Sequence, residues 1–245
     1  MEQKQDIFMR ARLLVGEDGM ERIGQKKVLL FGVGGVGSWC AESLIRSGIQ
    51  DLTLVDADCV NISNINRQLM ATVKTVGMPK TEALKARLLE IHPTARITAI
   101  QKLFCPETAD EFQLDNYDYI IDCIDSLKDK TLLIEQASHA KAVFFSSMGA
   151  ALKIDPTRIR VAEFWDVHGD PLARAIRKKI RKEGRETGKP FLCVFSEELL
   201  QNRGEAQEPS ADDIIRKACV NGSLVHITAI FGHTLAGLVI QDILA

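Results

Sequence analysis

The chain has 245 residues, of which 46% are hydrophobic and 26% are charged, so it is long enough to bury a full core. One α/β domain, or such a domain with an appended lobe, fits this length. The formal net charge of −2 excludes a general attraction to nucleic acid, so any affinity for RNA requires a local basic patch.

The first predicted strand runs into a glycine-rich turn. It covers residues 28–32, and three glycines follow at G-x-G-x-x-G spacing, the last of them Gly37. A helix is predicted over 36–47, and a second strand over Asp51–Val55 leads to Asp56. Glycines at this turn permit positive φ and a close approach of the backbone to phosphate. The pattern is typical of a nucleotide-binding βαβ unit, in which Asp56 accepts hydrogen bonds from ribose hydroxyls.

Polar and basic side chains follow this unit. The stretch after Asp56 carries a carboxylate, amides and a guanidinium, among them Asp58, Asn64, Gln68 and Arg67. Lys80 opens the next predicted helix, 81–91. Backbone N–H groups can hold a dinucleotide pyrophosphate, whereas a triphosphate calls for fixed cations. We therefore predict that Arg67 and Lys80 are phosphate-binding cations.

Strands and helices alternate as far as residue 150. Further strands are predicted over Arg96–Ile100, Tyr119–Asp122 and Val143–Ser147, and helices over 108–112 and Leu127–His139. The alternation predicts an α/β fold with a doubly wound, mostly parallel sheet. In such folds the ligand lies at the carboxyl ends of the strands, where Gly32, Asp56 and Asp125 fall.

The pattern changes after residue 150. Strands are predicted near 158–164 and 191–195 on either side of a charged helix, and the polar stretch 201–213 is a predicted loop. No firm domain boundary is drawn near residue 150, because the apolar segment 224–245 is expected to pack back on the first half.

The charged helix lies within segment 173–189, which has eight basic and two acidic residues. Leu172, Ile176 and Ile180 form an apolar stripe that is typical of an ordinary solvated surface helix. On a chain of net charge −2, this basic concentration equally fits binding of an RNA backbone. The residues predicted to bind RNA are Arg177, Lys178, Arg181 and Lys182.

Segment 224–245 has 22 residues and no charge before Asp242, so it is long enough to span a bilayer. Histidine, threonine and glycine residues interrupt it, and we predict a core or dimer-interface helix, with membrane attachment as the alternative. His226 and His233 are seven residues apart and share a helix face. We expect them to be hydrogen-bonded interior histidines rather than metal ligands.

The six cysteines include no C-x-x-C pair, so a structural zinc site is not expected. The amino terminus is polar and has no secretory signal, which favours the cytoplasm and free thiols. Cys219 precedes the final helix, whose N–H groups lower the pKa of a nearby thiol. It is therefore a candidate nucleophile, although free cysteine is also a common buried residue and the structural interpretation is favoured.

As a set, these motifs resemble the ThiF-like family of adenylating enzymes, relatives of the ubiquitin-activating enzymes. The residues that carry the resemblance are Arg12, Gly32, Gly34, Gly35, Gly37, Asp56, Asn64, Arg67, Gln68, Lys80 and the stretch 122–126. The resemblance implies a Rossmann-like ATP-binding fold in which Asn64, Arg67 and Lys80 hold the phosphates of ATP. It also implies that Asp125 holds Mg²⁺ and that Arg12 reaches a phosphate in the partner subunit of a homodimer.

The resemblance further implies one adenylating domain over residues 1–245. Residues 1–150 would be its nucleotide-binding half, and 151–245 a carboxyl-terminal extension that binds substrate and RNA and packs in the dimer. Short matches at 154–159, 170–173 and 193–196 are similar to the branch that dehydrates threonylcarbamoyladenosine in tRNA. This implies that ATP activates the threonyl carboxylate and that a urea group of the same modification closes a ring, without an obligatory enzyme cysteine.

Three other functions stay open at this point. An adenylyltransferase for the carboxyl-terminal glycine of a ubiquitin-like sulfur carrier would use the same ATP site, and a cysteine-desulfurase or sulfur-acceptor partner belongs with it. The lack of paired cysteines and the basic segment disfavour this alternative. A nicotinamide-dependent dehydrogenase is disfavoured by Arg67, Lys80 and Asp125. A nucleotide- or tRNA-binding module without turnover would bind ATP but exchange no label between pyrophosphate and ATP.

Overall fold

The computed structural model describes residues 6–204 and 221–245 of the chain. Its strands are β1 (Lys27–Phe31), β2 (Asp51–Val55), β3 (Arg96–Ile100), β4 (Tyr119–Asp122), β5 (Val143–Ser147), β6 (Ile159–Glu163) and β7 (Leu192–Ser196). They form one seven-stranded sheet in the order β3-β2-β1-β4-β5-β7-β6. Neighbouring strands are parallel except β6, which runs antiparallel to β7 at the edge.

Helices cover both faces of the sheet. They are α1 (Met9–Gly24), α2 (Gly37–Ser47), α3 (Lys80–Ile91), α4 (Leu127–His139), α5 (Pro171–Lys182) and α6 (Val225–Leu244). One buried cluster joins the sheet to α2, α3 and α6 through Leu44, Leu84 and Leu235. A second cluster joins the other face to α4 and α5 through Leu133 and Ile176. The sheet is therefore doubly wound, as predicted, and strands from both sides of residue 150 belong to it.

The strand order reverses direction at β1. From β1 the sheet continues through β2 and β3 on one side and through β4 and β5 on the other. Ligands of open α/β sheets bind at such a point, outside the carboxyl ends of the strands. The glycine turn after β1 lies at this point of the sheet.

Two local differences from the predicted elements have simple causes. The helix predicted over 108–112 is a short 3-10 helix, Ala109–Phe112, because Gln113 adopts a left-handed φ of 46° and ends it. The helix around Arg12, α1, is absent from the predicted elements, because its kink at Gly16 (φ 75°, ψ 177°) breaks the helical periodicity. Of the loop predicted over 201–213, residues 205–213 lie outside the described residues.

The final segment forms a core helix. Phe231, Leu235 and Val239 of α6 are fully buried. The close crossing of α6 over α2 requires Gly232, because a Cβ there would lie 2.5 Å from the carbonyl oxygen of Val36. Among the described residues, α6 is the one helix long and apolar enough to cross a membrane, yet half of its most apolar stretch is buried in the fold. The packing agrees with the predicted core helix.

Candidate active site

The glycine turn between β1 and α2 is held in shape by two of its glycines. Gly32 has φ 82°, and a Cβ there would lie 2.7 Å from the carbonyl oxygen of Cys123. A Cβ at Gly37 would lie 1.9 Å from the carbonyl oxygen of Gly32. Within the described part of the chain, the N–H groups of Gly34 and Gly35 donate no hydrogen bond. These amides are therefore available to an anion at the start of α2.

Asp56, which follows β2, braces the glycine turn. One carboxylate oxygen, Oδ2, accepts the N–H of Val33 at 2.8 Å, and Oδ1 accepts the N–H of Asp58 at 2.9 Å. Burial raises the pKa of Asp56, and the charge of Lys80 opposes that rise. A carboxylate has about four lone-pair positions, so two stay open, which is compatible with the predicted hydrogen bonds from ribose hydroxyls.

Lys80 is the first residue of α3, and only 7% of its surface is exposed. Its Nζ lies 2.8 Å from Asp58 Oδ2 and 3.8 Å from Asp56 Oδ1. The sequence predicted Lys80 as a phosphate-binding cation and Asp58 as a nucleotide contact. The structure brings both to the carboxylate that braces the glycine turn.

Asn64 and Gln68 lie in the segment that crosses from β2 to α3. Asn64 ends a 3-10 helix, Ile62–Asn64, and its Oδ1 accepts the N–H of Asn61 at 2.9 Å. Gln68 is buried, and its Oε1 has no hydrogen-bond partner among the described residues. An unsatisfied buried acceptor costs about 1–3 kcal/mol. A hydrogen-bond donor on a bound ligand would remove that cost, which fits the predicted nucleotide contact.

Arg67 packs against the glycine turn, since a Cβ at Gly35 would lie 3.4 Å from Arg67 Cγ. Its Nη1 donates to the carbonyl of Ser63 and to Asn66 Oδ1, both at 2.9 Å. The indole of Trp39 holds the backbone by donating to the carbonyl of Arg67 at 3.0 Å. Burial lowers the pKa of Arg67, and the charge of Asp125 opposes this effect. The two side chains predicted to flank the phosphates are therefore electrostatic neighbours.

Asp125 follows β4 and is exposed. It makes no hydrogen bond or ion pair with the described residues, and these contain no group of three or more residues able to hold a metal ion by themselves. Mg²⁺ is commonly held by one or two carboxylates together with substrate phosphates. A single carboxylate beside Arg67, which is predicted to bind phosphate, fits such an ion.

A buried ion pair beneath Asp125 was missed by the sequence analysis. Lys130 and Asp122 are completely buried, and Lys130 Nζ lies 2.6 Å from Asp122 Oδ2. Lys130 also donates to the carbonyl of Ile124 at 2.9 Å, and the hydroxyl of Ser146 donates to Asp122 at 2.7 Å. The pair fixes the turn that carries Asp125. The available signal was a lysine beside the apolar positions Leu133 and Ile134 of a predicted helix.

Arg12 lies far from the glycine turn of its own chain. Its guanidinium donates to Asp6 at 2.9 Å and also pairs with Glu17. The cleft around it is also lined by Gly48, at the far end of α2 from the glycine turn. The 11 residues of α2 span about 16 Å, so Arg12 does not reach its own site in this conformation.

The basic residues of α5 lie toward the opposite edge of the sheet. The helix starts at Asp170, which caps it and accepts the N–H of Gly149 after β5, and it runs back toward the amino ends of the strands. Arg177 donates to the carbonyl of Phe164 at 2.7 Å, and Arg181 lies 5.1 Å from the ring of Trp165. Lys178 and Lys182 are exposed. The structure does not bring these four residues close to Arg67 and Lys80.

The remaining candidates have mixed outcomes. Cys219 lies outside the described residues. Both histidines of α6 are hydrogen-bonded as expected, His226 to the carbonyl of Ile154 at 2.9 Å and His233 to the hydroxyl of Ser43 at 2.6 Å. They are exposed, however, so the prediction that they lie in the interior is wrong. The buried face of α6 is formed by neighbouring positions such as Ile227, Phe231 and Leu235 instead.

Comparisons with known proteins agree with this geometry. A model of the ThiF family matches residues 8–244. A tRNA threonylcarbamoyladenosine dehydratase from Bacillus subtilis is 38% identical over 241 residues, which are 97% of this chain and 94% of the relative. The enzyme of that name from Escherichia coli is 33% identical over 244 residues, 95% of this chain and 91% of the relative.

Solved structures of the E. coli dehydratase, TcdA, share the fold. The structure of its complex with ATP has a TM-score of 0.84 and 30% identity, and it covers 96% of this chain and 93% of that chain. A molybdopterin-synthase adenylyltransferase from Haemophilus influenzae is 31% identical over 165 residues, but these are only 67% of this chain. The dehydratases therefore match nearly the whole chain, whereas this adenylyltransferase matches about two thirds of it.

Proposed function

The chain belongs to the ThiF family, and on that premise we propose that it is an ATP-dependent tRNA threonylcarbamoyladenosine dehydratase. The grouping of Lys80, Arg67 and Asp125 around the glycine turn supports the use of ATP. The observation that carries the dehydratase assignment is the match of the dehydratases over nearly the whole chain. Two fixed cations and a free carboxylate suit a triphosphate better than a dinucleotide.

The first step activates a carboxylate, whose own oxygen is a poor leaving group. An oxygen of the threonyl carboxylate attacks the α-phosphorus of ATP, the bond to the β-phosphate oxygen breaks, and pyrophosphate leaves. Arg67 and Lys80 stabilise the negative charge that moves onto the pyrophosphate. Mg²⁺ held at Asp125 would neutralise further phosphate charge. Asp56 orients the ribose and the glycine turn.

The second step closes a ring. A urea group of the same threonylcarbamoyl modification attacks the activated acyl carbon, loses a proton, and displaces AMP. The nucleoside has then lost one water, whose oxygen leaves in AMP. Because the reacting groups are already tethered, the protein has to supply little beyond orientation, and no enzyme thiol is required.

The dimer is part of the proposal. Arg12 would contact a phosphate in the partner's site, which is supported by its separation from its own site. Leu13 and Leu14, beside Arg12 on α1, are 82% and 86% exposed. Large exposed apolar side chains in a cluster commonly mark an interface between proteins. We expect this phosphate to lie beside the partner chain's crossing segment, residues 56–79, which connects β2 to α3.

Binding of tRNA by α5 is also proposed. Six basic residues of this helix make no ion pair with the described residues: Arg174, Arg177, Lys178, Lys179, Arg181 and Lys182. Because α5 has 12 residues and spans about 18 Å, an RNA that contacts both its far end and the ATP site must extend over at least that distance. A cytoplasmic location fits tRNA and ATP as substrates and the free cysteines of the described residues.

A sulfur-carrier adenylyltransferase is the second candidate, supported by the partial match to the molybdopterin-synthase enzyme. Incubation of the protein with ATP, Mg²⁺ and tRNA that bears threonylcarbamoyladenosine distinguishes the two. Mass spectrometry of the nucleosides should show the loss of one water with no other protein added, and Cys219→Ser should keep most of this activity. An unchanged tRNA, together with an adenylate on a ubiquitin-like carrier, would favour the second candidate.

A further inference from the structure

Asn66 lies on the surface of the crossing segment and makes a hydrogen bond with each end of its side-chain amide. Its Oδ1 accepts from Arg67 Nη1 at 2.9 Å, and its Nδ2 donates to the carbonyl of Ser223 at 3.0 Å. These partners settle the orientation of the amide, because a guanidinium only donates and a carbonyl only accepts. The exposed side chain of Asn66 thus links Arg67, which is proposed to bind phosphate, to Ser223, a residue 157 positions from Asn66 in sequence.

Ser223 belongs to the short stretch that leads into α6. The preceding residue, Gly222, accepts the N–H of Leu152 at 2.9 Å and donates its own N–H to Asn202 at 2.8 Å. Leu152 lies in the loop after β5 and has a left-handed φ of 59°. The stretch therefore lies between the crossing segment that holds Arg67 and the loop after β5.

The loop after β5 lies on the side from which an acyl substrate would approach. The glycine turn and Asp56 follow β1 and β2, and Asp125 follows β4. The next carboxyl ends in the sheet are those of β5 and β7. A carboxylate that attacks the α-phosphorus must approach from outside the nucleotide. The carboxyl ends of β5 and β7 form the side of the site that the nucleotide does not occupy, so we expect the approach from there. This step rests on the proposed function.

We propose that Asn66 is a positioning residue that couples the Arg67 guanidinium to the chain entering α6, and through it to the loop after β5. A triphosphate that orders Arg67 then also orders Ser223 and the loop after β5, which would form one wall of the site for the acyl substrate. Arg67 keeps a second fixed acceptor, the carbonyl of Ser63. Loss of the bond from Asn66 to Ser223 therefore uncouples the two sides without displacing Arg67.

Amide hydrogen exchange tests this coupling with ATP and Mg²⁺ alone. The N–H groups of Leu152 and Gly222 are hydrogen-bonded, so their exchange requires local opening. In the wild-type protein we expect ATP to slow their exchange by about tenfold. Asn66→Asp keeps the acceptor for Arg67 but lacks the donor for Ser223. It should bind ATP more weakly, because the added carboxylate lies against Arg67, yet lose this slowing even when it is saturated with ATP.

Gln101→Glu is the matched control. Gln101 is also exposed at this edge of the sheet and donates through Nε2 to a backbone carbonyl, that of Ala57, at 3.3 Å. The substitution removes the same kind of bond and adds the same charge, but should keep the slowing at Leu152 and Gly222. Full slowing in Asn66→Asp, or none in wild type, would overturn the coupling.

The Kd measurement separates two explanations of a defect. It defines the ATP concentration that fills the site of each variant, so that slowing absent from the filled variant reports the lost bond to Ser223 rather than weaker ATP binding. Kinetics at saturating ATP give a second readout, since Asn66→Asp should raise KM for tRNA. A wild-type protein that shows ATP-dependent slowing but leaves tRNA unchanged would refute the dehydratase function and leave the coupling standing.

Discussion

The ammonium of Lys80 lies 2.8 Å from the carboxylate of Asp58, so the charge of this predicted phosphate-binding residue is paired within the protein before any nucleotide arrives. A triphosphate brings enough negative charge to compete for it. We expect Lys80→Ala to retain the fold but to lower ATP–pyrophosphate exchange by about 100-fold, because a fixed cation at the migrating charge is removed. Lys85→Ala, on the same helix, is the control and should exchange normally. Normal exchange in Lys80→Ala would remove Lys80 from the site.

Asp125 has no partner among the described residues and should act through Mg²⁺. Asp125→Ala should raise the Mg²⁺ concentration needed for half-maximal exchange by about tenfold or more, or abolish turnover. Asp110→Ala changes an exposed carboxylate far from the phosphate cations and should leave the Mg²⁺ titration unchanged. An identical titration for Asp125→Ala would show that the metal is held elsewhere.

Arg12 should complement a defective site across the dimer. Arg12→Ala and Lys80→Ala should each be inactive alone. After subunit exchange, a mixture of the two should regain part of the activity, because one site of a heterodimer then has both residues intact. Mass spectrometry of differently tagged subunits verifies the exchange. No recovery after verified exchange would mean that Arg12 acts in its own subunit or has no role in the reaction.

The basic residues of α5 should divide into two groups. Lys178 and Lys182 are exposed, so replacing each with Ser should reduce the slope of log K for tRNA against log salt by about 0.7–0.9 without loss of stability. Arg177→Ser should also lower the free energy of unfolding by about 1 kcal/mol, because its bond to the carbonyl of Phe164 is lost. Lys74→Ser is a control for general charge. An unchanged slope in the lysine variants would make α5 an ordinary solvated helix.

The buried pair of Lys130 and Asp122 should be sensitive to removal of one partner. Lys130→Met leaves a buried carboxylate unpaired, which costs about 3–5 kcal/mol in the free energy of unfolding. Ser146→Ala removes one hydrogen bond from the same carboxylate and should cost only about 1 kcal/mol. Thermal unfolding measures both. Equal stabilities for Lys130→Met and wild type would show that the pair contributes nothing to the turn before Asp125.

The sequence alone determined the repeating part of the fold and the chemistry near it. Strand and helix alternation follows from hydrophobic periodicity, which is local, and the glycine spacing marks the turn where β1 meets α2. Asp56, Arg67 and Lys80 could be named because they follow these elements at short, regular distances. The family resemblance added Arg12 and Asp125, whose roles come from the motif rather than from periodicity.

The tertiary structure decided what depends on residues distant in sequence. Asp56 accepts the N–H of Val33, 23 positions away, and Asn66 donates to the carbonyl of Ser223. Neither hydrogen bond produces a recognisable pattern in the local sequence. The buried pair of Lys130 with Asp122 joins a helix to a strand end, and only packing shows that this lysine points inward. The direction of α5 likewise depends on how it lies on the sheet, and this separates its basic residues from the ATP site. Periodicity reports which face of an element is buried, whereas the partner of that face is set by the whole chain.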